Sequence, residues 1–157
     1  MRFSVIAVGR GAPRPVKALV EDYSQRLQRM APVTLIEVAE ERRTPANSGN
    51  IEQLLLKEAA RIQNKIPNGA LVVPLDISGQ VFSSVDFSAK IRRTQELGDA
   101  EICFLIGGPD GLHPTLLNEP WRLSFGPMTY PHMLVRVVLL EQLYRAMTII
   151  ERVPYHR

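Results

Sequence analysis

The sequence has very few residues that can form covalent or metal cross-links. Its 157 residues include one cysteine, Cys103, and three histidines. A single cysteine excludes a disulfide within the chain, and three scattered histidines cannot supply a structural zinc site. No charged leader with an apolar segment and a cleavage site begins the sequence. We therefore expect a cytoplasmic protein without disulfides or metal.

A long uninterrupted apolar segment is also missing. The most apolar stretch, residues 133–150, contains Arg136, Glu141 and Arg145. Charged side chains inside a membrane-spanning helix are rare and costly, so this stretch is not expected to cross a membrane. It is apolar on nearly all sides, and a helix of that kind must be buried over most of its surface. A small sheet covers only one side of it, so we predict a homodimer through this helix.

Lysine is scarce, and positive charge is absent from one long segment. Four lysines accompany 15 arginines, and the formal net charge is +3. Arginine suits bidentate contacts with phosphate, so the composition fits either a polyanionic partner or a merely solubilising surface. No lysine or arginine occurs between Thr94 and Trp121, where five acids are found: Glu96, Asp99, Glu101, Asp110 and Glu119. A site formed by this segment would be neutral to acidic.

Short apolar runs alternate with amphipathic segments along the chain. The runs predict strands over 3–8, 33–38, 70–75, 102–106 and 121–125, and helical spacing predicts helices after Pro13, Asn50 and Ser83 and over 133–150. This alternation predicts a single α/β domain over 1–157, with a mostly parallel sheet and helices on both faces. The pairs Asn50–Gln53 and Ser83–Asp86 are predicted helix caps, and the polar segment 40–50 is a predicted loop.

The strand over 102–106 ends on a glycine loop, Gly107-Gly108-Pro109-Asp110-Gly111. Such loops at strand ends bind ligands in open α/β sheets. This one lacks the spacing of a dinucleotide fingerprint and the Lys-Ser/Thr ending of a P-loop, and its proline removes an amide donor. Together with the missing cations, the loop favours a phosphate-free or cationic ligand, such as a sulfonium cofactor. The strand over 121–125, followed by Gly126-Pro127, is a predicted second wall.

Several motifs carry a resemblance to a known family. LIGGPDGL, LSFGPMTYPHMLVRVVLLEQLYRA and the terminal PYHR, with FSVIAVGR and VVPLDISG, resemble the ribosomal RNA large-subunit methyltransferase H family, small SPOUT-class enzymes with a trefoil knot. The resemblance implies a homodimer that uses S-adenosyl-L-methionine to methylate N3 of a pseudouridine in 23S ribosomal RNA on assembled ribosomes. By motif position it implies cofactor contacts at Leu75, Gly107, Gly108, Phe125, Gly126, Pro127, Met128, Thr129 and Tyr130.

The implied reaction narrows the catalytic candidates without choosing among them. The target is an imide nitrogen that must lose its proton, so a general base and a nearby guanidinium would both help. His132 is either such a base or a cap of the last helix, and Arg136 either contacts RNA or the partner subunit or pairs with an acid. The tail Tyr155-His156-Arg157 offers an aromatic ring for stacking on a base, a titratable group and a cation.

Two other functions stay open at this point. A non-catalytic nucleotide-binding, ribosome-associated factor would share the α/β pattern, but the glycine loop lacks phosphate-binding chemistry. An NAD-dependent oxidoreductase would need the fingerprint spacing and an acid about twenty positions beyond the loop. Candidate phosphate contacts on RNA are Arg42-Arg43, the ridge Lys57/Arg61/Lys65 and the group Lys90/Arg92/Arg93.

Overall fold

The computed structural model describes residues 1–45 and 49–157. The strands are β1 (Arg2–Val8), β2 (Val33–Val38), β3 (Leu71–Val81), β4 (Glu101–Ile106) and β5 (Leu123–Ser124). The helices are α1 (Arg14–Gln28), α2 (Ile51–Gln63), α3 (Ser84–Glu96) and α4 (His132–Ile150), and a 3-10 turn covers Pro114–Leu116. Of the loop predicted over 40–50, residues 46–48 lie outside the described residues.

The strands form one sheet in the order β2-β1-β4-β3-β5, and every pairing is parallel. Successive side chains of a strand point to opposite faces. Thus Phe3 and Val5 of β1 enter a core with α1, α3 and α4, whereas Ile6 and Val8 enter a second core with α2. The predicted α/β sheet with helices on both faces is confirmed.

Local signals place the helix starts. Asn50 accepts a hydrogen bond from the backbone N–H of Gln53 at 3.2 Å, so the predicted cap of α2 is present. The Ser83 hydroxyl accepts from the N–H of Asp86 at 3.1 Å and caps α3. These contacts satisfy backbone donors that have no partner inside the helix. Proline occupies the first turn of α1, where its missing N–H costs nothing.

Two strands differ from their predicted lengths. β3 continues six residues beyond the predicted end at Leu75, and β5 contains only Leu123 and Ser124 rather than 121–125. The reason is a bulge: both Leu75 and Gln80 are in register with Leu123, so β3 pairs with β5 on either side of a short excursion. Gly79 is required there, since a Cβ at this position would lie 2.9 Å from the carbonyl of Arg122.

Helix α4 lies against α1 and α3 with its core side buried, while Leu134 on its other side is 41% exposed. Among residues 1–45 and 49–157, no helix is both long and apolar enough to cross a bilayer.

Candidate active site

A cavity of about 360 Å³ opens at the bulge of β3 and the carboxyl ends of β4 and β5. Its wall is made by residues 75–77 of β3, by the segments that follow β4 and β5, and by the first residues of α4. The lining residues are Leu75, Asp76, Ile77, Ile106, Gly107, Gly108, Asp110, Gly111, Leu112, Leu123, Ser124, Phe125, Gly126, Met128, Thr129, Tyr130, His132 and Val135. The carboxyl ends of parallel strands are the usual ligand-binding edge of such a sheet.

The glycine loop forms the first wall by folding back on itself. The N–H of Gly111 donates to the carbonyl of Gly108 at 3.0 Å and closes a tight turn. At Gly107, a Cβ would lie 2.3 Å from the carbonyl carbon of Gly111, so no other residue fits without moving the loop. The turn therefore brings backbone groups, rather than side chains, to the cavity surface.

The second wall is fixed by one hydroxyl. Ser124 accepts from the N–H of Gly126 at 3.1 Å and donates to the carbonyl of Ile77 at 3.1 Å, so it joins the bulge of β3 to the segment after β5. Further along this segment Met128 is 72% exposed and Tyr130 is 39% exposed, at the mouth of the cavity. Eight of the nine residues predicted to contact a cofactor line this cavity, and Pro127 is the exception.

Acids are the charged side chains found in the described lining of the cavity. Asp76 and Asp110 are among its lining residues, and of the described residues that line it none is a lysine or arginine. Each acid is paired with an arginine that lies outside the lining. Arg43 forms a two-pronged contact with Asp110, one prong being Nε to Oδ2 at 3.1 Å, and Arg122 lies 3.4 Å from Asp76. Neither acid was among the residues predicted to contact the cofactor. Asp110 lies in the predicted glycine loop and Asp76 directly follows the predicted third strand over 70–75, and these positions are the signal that was available.

His132 and Arg136 occupy the first turns of α4, but only His132 lines the cavity. The Nε2 atom of His132 is buried without a hydrogen-bond partner in the described part of the chain, and burial, with a smaller effect of Arg136, lowers the pKa of His132. Arg136 is 1% exposed. Its guanidinium contacts Glu37 at 2.5 Å and donates to the carbonyls of Val8 at 2.7 Å and Gly9 at 2.8 Å.

Arg136 therefore joins the start of α4 to the carboxyl ends of β1 and β2. Its guanidinium hydrogen bonds go to an acid and two backbone carbonyls. Burial lowers the pKa of Arg136, and the Glu37 carboxylate opposes that effect. Of the alternatives for this residue, the structure shows pairing with an acid.

The tail folds back onto the second half of α4. The Tyr155 hydroxyl donates to Glu141 at 3.0 Å, and its ring lies against Tyr144 with centroids 4.8 Å apart and under the guanidinium of Arg145 at 4.6 Å. Burial, followed by hydrogen bonding, raises the pKa of Tyr155. His156 lies 3.3 Å from Arg145 through Nδ1.

The tail and the cavity are thus separated within one chain. The contacts of Tyr155 on α4 begin at Glu141, nine residues after His132, which corresponds to about 14 Å along the helix axis. Arg157 is exposed at the chain end. The three predicted tail residues and His132 are not brought together in one copy.

The predicted basic ridge is partly neutralised. Lys57 and Arg61 both contact Glu41, at 3.4 Å and 2.5 Å. Their mutual repulsion is thus relieved by an acid of this chain, and it does not by itself call for a polyanion. In the third basic group, Lys90 lies 5.2 Å from the centre of the Trp121 ring, and Arg92 pairs with Glu96 at 3.5 Å.

The comparisons with known proteins agree with this geometry. A family model described as "Predicted SPOUT methyltransferase" matches residues 1–156. The chain therefore belongs to the SPOUT methyltransferase family, which implies a methyl-donor cofactor. An NAD-dependent oxidoreductase and a non-catalytic nucleotide-binding factor are accordingly set aside.

Within this family the relatives are more specific. A protein named ribosomal RNA large subunit methyltransferase H from Magnetococcus marinus is 45% identical, over 99% of this chain and 99% of its own. Proteins of the same name from Roseobacter denitrificans and Clostridium botulinum are 42% and 39% identical, over 100% of this chain and 99% and 100% of their own. These whole-length matches confirm the resemblance found in the sequence motifs.

Proposed function

We propose that this protein transfers a methyl group from S-adenosyl-L-methionine to N3 of a pseudouridine in 23S ribosomal RNA on assembled ribosomes. The observation that supports this most directly is the cavity itself. It combines backbone-lined glycine turns, two carboxylates and a lining without lysine or arginine among the described residues. Such a lining suits a cationic, phosphate-free ligand better than a nucleotide.

The cavity also fits the cofactor in size and polarity. Its volume of about 360 Å³ lies in the range of small-molecule sites. Leu75, Leu112 and Leu123 provide apolar surface for the adenine, and the turns at Gly107 and Phe125 provide backbone polar groups. When bound, the cofactor supplies an electrophilic methyl group on a positively charged sulfur.

The chain must position the RNA base and remove its imide proton. His132 lies in the cavity and its lowered pKa keeps it neutral at neutral pH, the form that accepts a proton. His156 in the tail is the second group that can do so. The variants His132→Gln and His156→Gln separate the two assignments, because only the general base gives a loss that higher pH partly restores.

The tail packs on the second half of α4 and does not line the cavity of its own chain. We propose that the tail of one protomer completes the cavity of its partner. A second cavity of about 230 Å³ shares Phe125 and Tyr130 with the first, and the exposed Val81 lines it. Val85 of α3 and Leu134 of α4 are further exposed apolar side chains. This face, continuous with α4, is the proposed homodimer interface.

The dimer is tested by its mass in solution. Replacing Leu134 with glutamate places a charge in the centre of the proposed interface, so light scattering should report a monomer. A variant of equal charge on a distant face, Leu97→Glu, is the control, since Leu97 is 75% exposed at the end of α3. A dimer that survives Leu134→Glu would show that a different face is used.

The proposed function also implies the domain organisation, the RNA partner and the location of the protein. Residues 1–157 act as a single SPOUT-type domain, and family membership implies a knotted carboxyl-terminal segment around the cavity. The RNA partner is a large structured one, contacted by the basic groups at 42–43, 57–65 and 90–93. Action on ribosomes places the protein in the cytoplasm.

Two measurements test the function. Calorimetry with S-adenosylmethionine, NADH and GTP should show binding of the first alone, and no binding of the first would overturn the cofactor assignment. Purified protein and labelled cofactor should then transfer the methyl group to ribosomes that lack the modification. Transfer to naked RNA but not to ribosomes would correct the substrate.

A further inference from the structure

One acid of the cavity belongs to an ion pair that reaches the surface. Asp110 lines the cavity and its side chain is 26% exposed, whereas Arg43 lies on its outer side with 53% exposure. Arg43 is carried by the loop after β2. That loop is attached to α2, because Arg61 donates to the carbonyl of Ala39 at 3.0 Å and contacts Glu41.

The two members of this ion pair are placed differently relative to the cavity. Its two-pronged geometry holds the carboxylate of Asp110 in a fixed orientation, which a single contact would not do. The acidic end is part of the cavity wall and the basic end is not. A ligand in the cavity therefore experiences the carboxylate more strongly than the guanidinium, although the pair has no net charge.

Methyl transfer changes the charge of the ligand in this cavity. As the new N–CH3 bond forms, the S–CH3 bond breaks and its electron pair stays on sulfur, so a sulfonium cation becomes an uncharged thioether. The imide proton goes to the general base. The substrate form of the cofactor therefore carries one more positive charge than the product form.

We propose that Asp110 is a specificity-determining residue that makes the cavity prefer the cationic methyl donor over its uncharged product, and that Arg43 sets the strength of this preference. The inference rests on the proposed S-adenosylmethionine function. Its consequence is weaker product inhibition: the carboxylate stabilises the donor but gives no electrostatic stabilisation to S-adenosylhomocysteine.

Three variants change the local charge in opposite directions. Asp110→Asn leaves Arg43 unneutralised and adds one positive charge, so the ratio of donor affinity to product affinity should fall. Arg43→Gln leaves the carboxylate unneutralised, so the same ratio should rise. The double variant removes both charges. Because the carboxylate acts on the ligand more strongly than the guanidinium, the ratio should fall below the wild-type value but stay above that of Asp110→Asn. Each single change should be about threefold, as one charge several ångströms away produces at a protein surface.

The measurement is calorimetry of each variant with S-adenosylmethionine and S-adenosylhomocysteine. The ratio of the two affinities reports the effect of charge alone. A variant that only loosens the glycine loop would lower the affinity for both ligands equally and leave the ratio unchanged. The control is Arg26→Gln, which breaks an exposed pair with Asp22 of 2.9 Å on α1 and should leave the ratio unchanged.

The outcomes distinguish this inference from the proposed function. If wild-type protein binds neither ligand, the proposed function fails. If it binds both and the ratio is the same in Asp110→Asn, Arg43→Gln and the wild type, Asp110 has no role in discrimination. If Asp110→Asn does not fold, Arg43→Gln and the double variant still give opposite expectations, a raised and a lowered ratio.

Discussion

The two ends of α4 are both anchored, but to different parts of the molecule. At the amino-terminal end, Arg136 is buried and contacts the ends of two strands, and His132 lines the cavity. Beyond the carboxyl-terminal end, Tyr155 folds back and contacts Glu141 and Arg145 of the helix itself. The first end is thus joined to the central sheet, whereas the tail is held by the helix. Residues that were grouped as one catalytic set thus lie in two separate places.

The largest loss of activity should come from deleting the tail, residues 155–157. Deleting residues 155–157 should lower methyl transfer to ribosomes by about 100-fold or more, the range of a lost general base or substrate contact. Cofactor affinity should stay within about twofold, because the cavity of the same chain does not contain the tail. Calorimetry and a labelled-methyl assay measure the two quantities. Equal loss of both would mean that the tail only supports the fold.

A mixed dimer shows whether the tail acts between copies. Gly107→Val blocks the cavity, since the added side chain collides with the backbone of Gly111, but it leaves the tail intact. Mixing this variant with the tail-deleted protein should restore part of the activity, because one cavity in each mixed dimer is complete. Absence of any restoration, with mixed dimers shown to form, would place each tail at the cavity of its own chain.

The next largest effect compares the two arginines of the same helix. Arg136→Met leaves Glu37 and two carbonyls without a buried partner, so the free energy of unfolding should fall by about 3 kcal/mol or more. Arg145→Met breaks a more exposed contact with Glu141 and should cost about 1 kcal/mol or less. Urea denaturation of both variants gives the comparison. Similar losses of stability in the two variants would mean that the buried contacts of Arg136 stabilise the fold no more than the more exposed contact of Arg145.

The sequence predicted those features that depend on neighbouring residues. The caps at Asn50 and Ser83 and the wall segments around Gly107 were found because turn geometry and capping are local. What it could not predict depends on distant pairings. The bulge that extends β3 requires pairing with β5, more than forty residues later in the chain.

The charge partners illustrate the same limit. Glu41 neutralises Lys57 and Arg61 from 16 and 20 positions away. Arg136 reaches Glu37 across 99 positions. Spacing along a helix cannot show either contact, because it carries no information about which loop or strand is packed against that face.

A smaller effect concerns the pH dependence of stability through His132, at the amino-terminal end of α4. Burial lowers the pKa of His132, so the folded state binds fewer protons than the unfolded state below the unfolded pKa of about 6.5. Its contribution to stability is therefore complete above that pH and is lost as the pH falls towards the lowered folded pKa. NMR titration should give a midpoint for His132 below its ordinary value. His132→Gln should flatten this part of the stability profile, whereas His156→Gln at the other end should not.

The smallest effect concerns the turn that directs the tail. Helix α4 ends in a Schellman motif, in which Val153 donates to Thr148 at 2.8 Å and Arg152 donates to Ile149 at 3.2 Å. Arg152 has a φ of 58°, a left-handed conformation that glycine adopts without strain. Arg152→Gly should therefore raise the free energy of unfolding by about 0.5–1 kcal/mol in urea denaturation.

A glycine substitution one residue earlier, Glu151→Gly, tests whether the gain in stability comes from the left-handed backbone conformation of Arg152 or from glycine itself. Glu151 has a φ of −87°, where glycine relieves no strain, so Glu151→Gly should destabilise the protein slightly through the entropy of the unfolded chain. Because Arg152→Gly keeps the turn, the tail should leave α4 in the same direction and methyl transfer should be unchanged. A stable Arg152→Gly protein that has lost activity would mean that the arginine side chain, and not only the direction of the tail, contacts the substrate.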